Sequence, residues 1–162
     1  MVDGHYGTVV DGVFAASSAS SGFAASSPVP IASLSHGTVV AITLAGKSSR
    51  FAVAITSTNA LNFDVHHYNN NHLAAFHYSS LWGRVNSDWD GNGTFARHYV
   101  PFGGPFIAVL KLRGSDRTVS FSVNGVPQDG VWALPTTEFY YIMLATNSGG
   151  TIAVTDVSVA TV

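Results

Sequence analysis

The sequence contains no cysteine. Disulfides and thiol chemistry are excluded, so the fold must stand on its core alone, in either redox compartment. Charge is scarce as well. Lys, Arg, Asp and Glu make up 10% of the 162 residues, and seven Lys/Arg against nine Asp/Glu leave the chain slightly acidic. No basic stripe marks a nucleic-acid partner, and no apolar run approaches the ~18 residues of a membrane span. The opening, MVDGHYG, lacks the basic and apolar regions of a signal peptide. Cytoplasmic synthesis is expected, with a non-classical route out of the cell for any extracellular role. Glu138 is the only glutamate. A glycan-cleaving sandwich with a tight Glu and Asp cluster on one strand cannot be built from it. Two Asp can in principle act as acid and base. The closest pair, Asp88 and Asp90, falls on a turn-like Asp-Trp-Asp-Gly-Asn-Gly stretch, a poor rigid platform. No G-x-S-x-G, H-E-x-x-H or phosphate loop is present. The expectation is a protein that is not an enzyme and takes no cofactor.

Hydrophobic residues, by contrast, reach 46%. A chain of this length is expected to form one domain, residues 1–162, and to bury roughly 70% of its unfolded surface. Short β-branched runs between turn residues recur along it. Residues 38–44 lie between Gly37 and Gly46. Residues 50–56 set Phe51, Val53 and Ile55 on one face, and Leu61, Phe63 and Val65 alternate with Asn62, Asp64 and His66. Residues 73–78, 95–99, 106–112, 118–123, 139–144 and 152–162 complete the set, and Asn124-Gly125 is a favoured hairpin pair. Residues 1–30 form a Ser/Ala-rich N-terminal strand and loop. Val9-Val10 and Val13-Phe14 mark the strand, and residues 17–27 read either as loop or as a strand of small side chains where sheets approach closely. No ten-residue stretch carries a capped helical period. About ten short strands with turn signals between them indicate an all-β sandwich or barrel.

One stretch departs from this spare chemistry. Residues 62–84 read NFDVHHYNNNHLAAFHYSSLWGR, a concentration of imidazoles and amides beside a Trp-Gly and an Arg. Planar polar groups near an indole suit sugar binding. Ring nitrogens and amides bond paired hydroxyls, while the indole face packs on the sugar's C–H face. His66, His67 and His77 can donate and accept such bonds, and Asn69, Asn70 and Asn71 offer amide forks. Trp82 offers a stacking face, and Arg84 a cationic contact. Each has a plainer reading: structural His, an Asn turn, a core Trp between sheets, a solvent-facing Arg. A metal is not expected, because His66 and His67 point to opposite faces of a regular strand and no Cys is available for a structural zinc. Asp88, Asp90, Asn92 and Gly93 match the opening of a calcium loop, but Tyr99 stands where the closing Glu belongs, so a turn is expected.

Two further segments carry a pattern. GTVVAITLAGKSSRFAVAIT spans residues 37–56, and VPFGGPFIAVLKLRGSDRTVSFSVNGV spans residues 100–126. Together they resemble the galectins, the β-sandwich lectins that bind β-galactosides. The resemblance lies in a Gly-bounded strand followed by an Arg-Phe strand, then Val100-Pro101-Phe102 in place of Phe-Pro-Phe. Gly104-Pro105-Phe106 and a strand ending in Asn-Gly follow, and TIAVTDVSVATV looks like the final galectin strand. It implies an antiparallel β-sandwich of the concanavalin A-like jelly-roll type. The family's sugar motif runs His-x-Asn-x-Arg, then Val-x-Asn, then Trp-Gly-x-Glu-x-Arg. In one register His67, Asn69 and Asn71 take the first motif, Val85, Asn86 and Ser87 the second, and Arg97 the final Arg. In another, His66 takes the first His, His77 the Asn, and Trp82-Gly83 the Trp-Gly. Alternation favours the second and side-chain chemistry the first. Neither supplies the Glu; Val85 or Phe95 stands near its place.

The expected function is a non-enzymatic lectin that recognises glycans, β-galactosides among them, through a shallow groove on one sheet. The site residues are His66, His67, Asn69, Asn71, His77, Trp82 and Arg84. Glycans or glycoconjugates would be the ligands, and homo-oligomers would supply avidity. The rival is a galectin-like structural or protein-interaction module that has lost the sugar.

Overall fold

Alternation of buried and more exposed positions organises the best-patterned strands of this chain. The structure, a computed structural model, describes residues 4–5, 7–17, 23–26, 29–31, 34–48, 50–56, 72–79, 84–88, 96–99, 105–127, 132–134, 140–147 and 149–161. These form strands β1 (Gly4–His5), β2 (Gly7–Val10), β3 (Val13–Ala16), β4 (Phe23–Ser26), β5 (Val29–Ile31), β6 (Thr38–Lys47), β7 (Arg50–Thr56) and β8 (His72–Ser79). There follow β9 (Arg84–Asp88), β10 (Ala96–Tyr99), β11 (Pro105–Arg113), β12 (Thr118–Val123), β13 (Val126–Pro127), β14 (Trp132–Ala133), β15 (Tyr140–Asn147) and β16 (Thr151–Thr161). No helix occurs among the described residues, and hence none long and apolar enough to cross a membrane.

The strands pair antiparallel into two sheets. One runs β1-β4-β15-β7-β8-β9-β10, with β5 beside β15, and the other β13-β12-β11-β6-β16-β3-β2, with β14 beside β12. The architecture is therefore the antiparallel β-sandwich expected. Its core is the space between the sheets. Phe51, Val53 and Ile55 of β7 and Ile142 and Leu144 of β15 line one side. Val40, Ile42 and Leu44 of β6, alternate residues of β11 from Phe106 to Leu112, and Val119, Phe121 and Val123 of β12 line the other. Each set is spaced by two because successive side chains leave a strand on opposite faces. The Phe51 and Phe106 rings stack across the interior, with centroids 4.0 Å apart and planes 9° from parallel. Thr146 and Ser48, both buried, join their hydroxyls at 2.6 Å in the same interior. The hydrogen bond compensates the loss of water that burial imposes on both.

Turn chemistry sets the registers. Asn124 and Gly125, at φ 49° and 77°, close the β12–β13 hairpin, and Asp11 and Gly12 close β2–β3 with the same values. Positive φ at both central residues is the type I′ signature that suits strand twist. The Asp11-Gly12 pair carries the same signal in sequence, and it fixes the strand that Val9-Val10 and Val13-Phe14 suggest as a hairpin. The Ser/Ala-rich stretch supplies β4, Phe23–Ser26, paired on β15. Asp88 is the last residue of β9, and the rest of the Asp-Trp-Asp-Gly-Asn-Gly stretch lies outside the described residues. Of the expected strands, 61–65 lies outside the described residues.

Candidate functional site

Three strands at one edge of the first sheet bring the polar residues together. β8 pairs with β7 and β9, and β9 with β10. On β7, Phe51, Val53 and Ile55 belong to the core, so Arg50, Ala52 and Ala54 occupy the opposite, outer face. The registers carry that face outward. Ala52 is opposite His77, His77 opposite Asn86, and Asn86 opposite Arg97. The next row reads Arg50, Ser79, Arg84 and Tyr99, and the row on the other side reads Ala54, Ala75 and Asp88. Directly opposed residues have Cα atoms about 4.5–5.5 Å apart, and diagonal neighbours sit about 7–8 Å apart. His77, Asn86 and Arg97 therefore span about 10 Å across three strands, close to the width of a sugar ring with its hydroxyls.

The sequence-predicted residues divide. His77 and Arg84 fall on adjacent strands and on the same outer face, diagonal to each other. His66, His67, Asn69, Asn71 and Trp82 lie outside the described residues, as do Asp90, Asn92 and Gly93 of the calcium-like stretch. The structure joins parts of both motif registers in a single row: His77 from one, Asn86 and Arg97 from the other. Ser79, Tyr99 and Arg50 also share this face and escaped the sequence reading. Their signal is alternation, His77-x-Ser79, Arg84-x-Asn86-x-Asp88 and Arg97-x-Tyr99, which places polar groups at every second position. On β15, Met143 and Ala145 share the outer face yet are 1% and 0% exposed. The outer face is therefore covered at these two positions. Among the described residues no three His, Asp or Glu converge as a metal site.

No family model and no curated protein matches this sequence. Solved structures are similar in fold. The galectin LEC-6 of Caenorhabditis elegans superposes with a TM-score of 0.50 at 20% identity, over 81% of this chain and 89% of that one. The SPRY domain of human HERC1 gives 0.58 at 14%, over 95% and 94%. The carbohydrate recognition domain of Emp47p gives 0.59 at 9%, over 98% and 86%. These likenesses establish the jelly-roll sandwich, which lectin and SPRY domains share.

Proposed function

We propose that this protein is a non-enzymatic lectin that holds glycans, β-galactosides among them, on the outer face of β8, β9 and β10. The observation that carries the reading is the row His77–Asn86–Arg97, backed by Ser79, Arg84 and Tyr99 in the next row. These residue types carry donors and acceptors, and register sets them at the spacing of neighbouring strands, which suits several hydroxyls on one ring. Beside them in register stand Ala52, Ala54 and Ala75, residues of small volume. Trp82, next to Gly83 and just before β9, would supply the stacking face. The likeness to a galectin and to a carbohydrate recognition domain supports the reading at the level of scaffold, and the single Glu138 weighs against glycan cleavage. Each hydroxyl bond replaces one to water, so one site binds weakly, and paired copies would supply avidity.

A glycan array followed by calorimetry tests this. Saturable binding of at least one saccharide is expected, lost in Trp82→Ala and weakened about tenfold or more in His77→Ala, the cost of one or two polar contacts. The second reading, an interaction module without sugar binding, is supported by the SPRY likeness at TM-score 0.58. An array on which neither neutral nor charged glycans bind would favour it.

A further inference from the structure

One row on the outer face of the second sheet is apolar across five adjacent strands. Register sets Val10 of β2 opposite Val13 of β3, and Val13 opposite Ala153 of β16. Ala153 is opposite Ala45 of β6, and Ala45 opposite Ile107 of β11. Each is next in sequence to a residue of the core or packed against it: Val9, Phe14, Ile152, Leu44 and Phe106. Alternation therefore turns all five outward. Burial agrees, since Val10, Val13 and Ile107 are 65%, 39% and 56% exposed. They are three of the five large hydrophobic residues exposed among the described ones. Four strand spacings make the row about 19 Å long. Charge borders it on both sides. Two residues along β6 in one direction is Lys47, opposite Thr151; two residues in the other is Thr43, opposite Asp156 of β16. Lys47 and Asp156 are both exposed.

Extended apolar patches rimmed by polar groups mark interaction surfaces, and this one is complementary to itself. A two-fold axis laid along the apolar row keeps each strand position and exchanges the two flanking rows. Lys47 of one copy then faces Thr43 of the second, one strand spacing, about 4.8 Å, to the side of Asp156. Packed sheets lie about 10 Å apart, a gap that a Lys and an Asp side chain span together. The symmetry makes this pair twice, and it packs Val10, Val13 and Ile107 on their own counterparts. We propose that this face joins the same face of a second copy in an isologous two-fold dimer, with the apolar row at its centre and a Lys47–Asp156 pair on each flank. The row and its flanks cover well under the ~800 Å² per partner of a standard interface, so the dimer is weak. The interface does not rest on the lectin reading. Where that reading holds, the dimer directs the outer faces of the two first sheets away from each other, as bridging of two glycan-bearing surfaces requires.

Light scattering over a concentration series up to ~1 mM tests the pairing, with circular dichroism checking that each variant folds. A reversible dimer is expected. Ile107→Glu should raise its dissociation constant about tenfold or more, since it sets a charge in the apolar contact. Lys47→Glu alone and Asp156→Lys alone should each weaken it several-fold by bringing like charges together, and the double swap should restore it. Ala45 lies on the two-fold axis, and the chain has no cysteine of its own. Ala45→Cys therefore carries the only thiol, and a bismaleimide linker spanning about 10 Å should join two copies through it. A protein that stays monomeric throughout the series would overturn the proposal. So would a dimer that survives Ile107→Glu and fails to cross-link through position 45, which would assign pairing to another surface. A double swap no tighter than the single changes would overturn the two-fold geometry. None of these outcomes bears on glycan binding, which the array reads separately.

Discussion

Gly46 shows how much of this sandwich depends on one missing side chain. It sits on the core face of β6, opposite Phe106 on β11 and Ile152 on β16. A β-carbon there would lie 2.1 Å from the Thr151 carbonyl oxygen and 2.8 Å from Phe106 Cζ. The ring that glycine admits is the one stacked on Phe51, so Gly46 makes room for an aromatic contact between the sheets. Gly46→Ala is expected to cost about 1–3 kcal/mol as backbone and ring move apart, measured by urea unfolding. An unchanged midpoint would show that the close approach is not required. Arg117 is a second special residue. At φ 53° it leads into β12, donates from Nη2 to the Tyr140 hydroxyl, and sets its guanidinium carbon 5.8 Å from that ring's centroid. Its Nε is buried without a hydrogen-bond partner among the described residues. This tie holds the β11–β12 turn to β15, across the sandwich.

Elements carry the next level, and β16 is the most exposed of the strands whose burial is described. Only Thr151–Ala153 pair with β3. Past the bulge between Val154 and Asp156, the strand pairs with β6 on one side, and no partner on its other edge occurs among the described residues. Val157 and Val159, in register with the core residues Ile42 and Val40, are nonetheless 49% and 57% exposed. A free edge of this kind is a template for strand addition. Antiparallel self-pairing about Ser158 would set Val157 opposite Val159, Thr155 opposite Thr161 and Asp156 opposite Ala160, so no like charges meet. A two-fold related copy satisfies that pattern twice. If the proposed avidity arises here, light scattering should show a dimer that Val159→Lys shifts to monomer while the unfolding midpoint holds. A monomeric parent protein would move the source of avidity elsewhere. A side chain reinforces the pairing at the end of β12. There Asn124 donates its backbone N–H to the Ile107 carbonyl at 2.7 Å and accepts the Ile107 N–H at 2.9 Å through Oδ1. The two bonds extend the β11–β12 ladder by one residue pair.

At the scale of the molecule, the sandwich and the candidate site were legible to different degrees for a physical reason. Strands 50–56 and 118–123 stand where alternation and turn residues place them, because periodicity and Gly or Asn-Gly boundaries are local properties. β9, Arg84–Asp88, has polar residues on one face and only Val85 and Ser87 on the other, so hydropathy gave it little contrast. The row His77–Asn86–Arg97 depends on how three strands slide against one another, and a shift by one residue would send each to the other face. Sequence spacing holds no record of that register; it brings together residues 20 positions apart. The same division predicts how the protein responds to mutation. Core residues take one face of β7, and the candidate site residues are in register with the other. Phe51→Ala, which removes a fully buried ring, is expected to lower stability by about 3–5 kcal/mol. Asn86→Ala should change it by no more than about 0.5 kcal/mol while weakening glycan binding several-fold. Denaturation and calorimetry on the two variants separate these effects. If Asn86→Ala unfolds the protein as readily as Phe51→Ala, Asn86 belongs to the packing, and the outer face loses the middle residue of its recognition row.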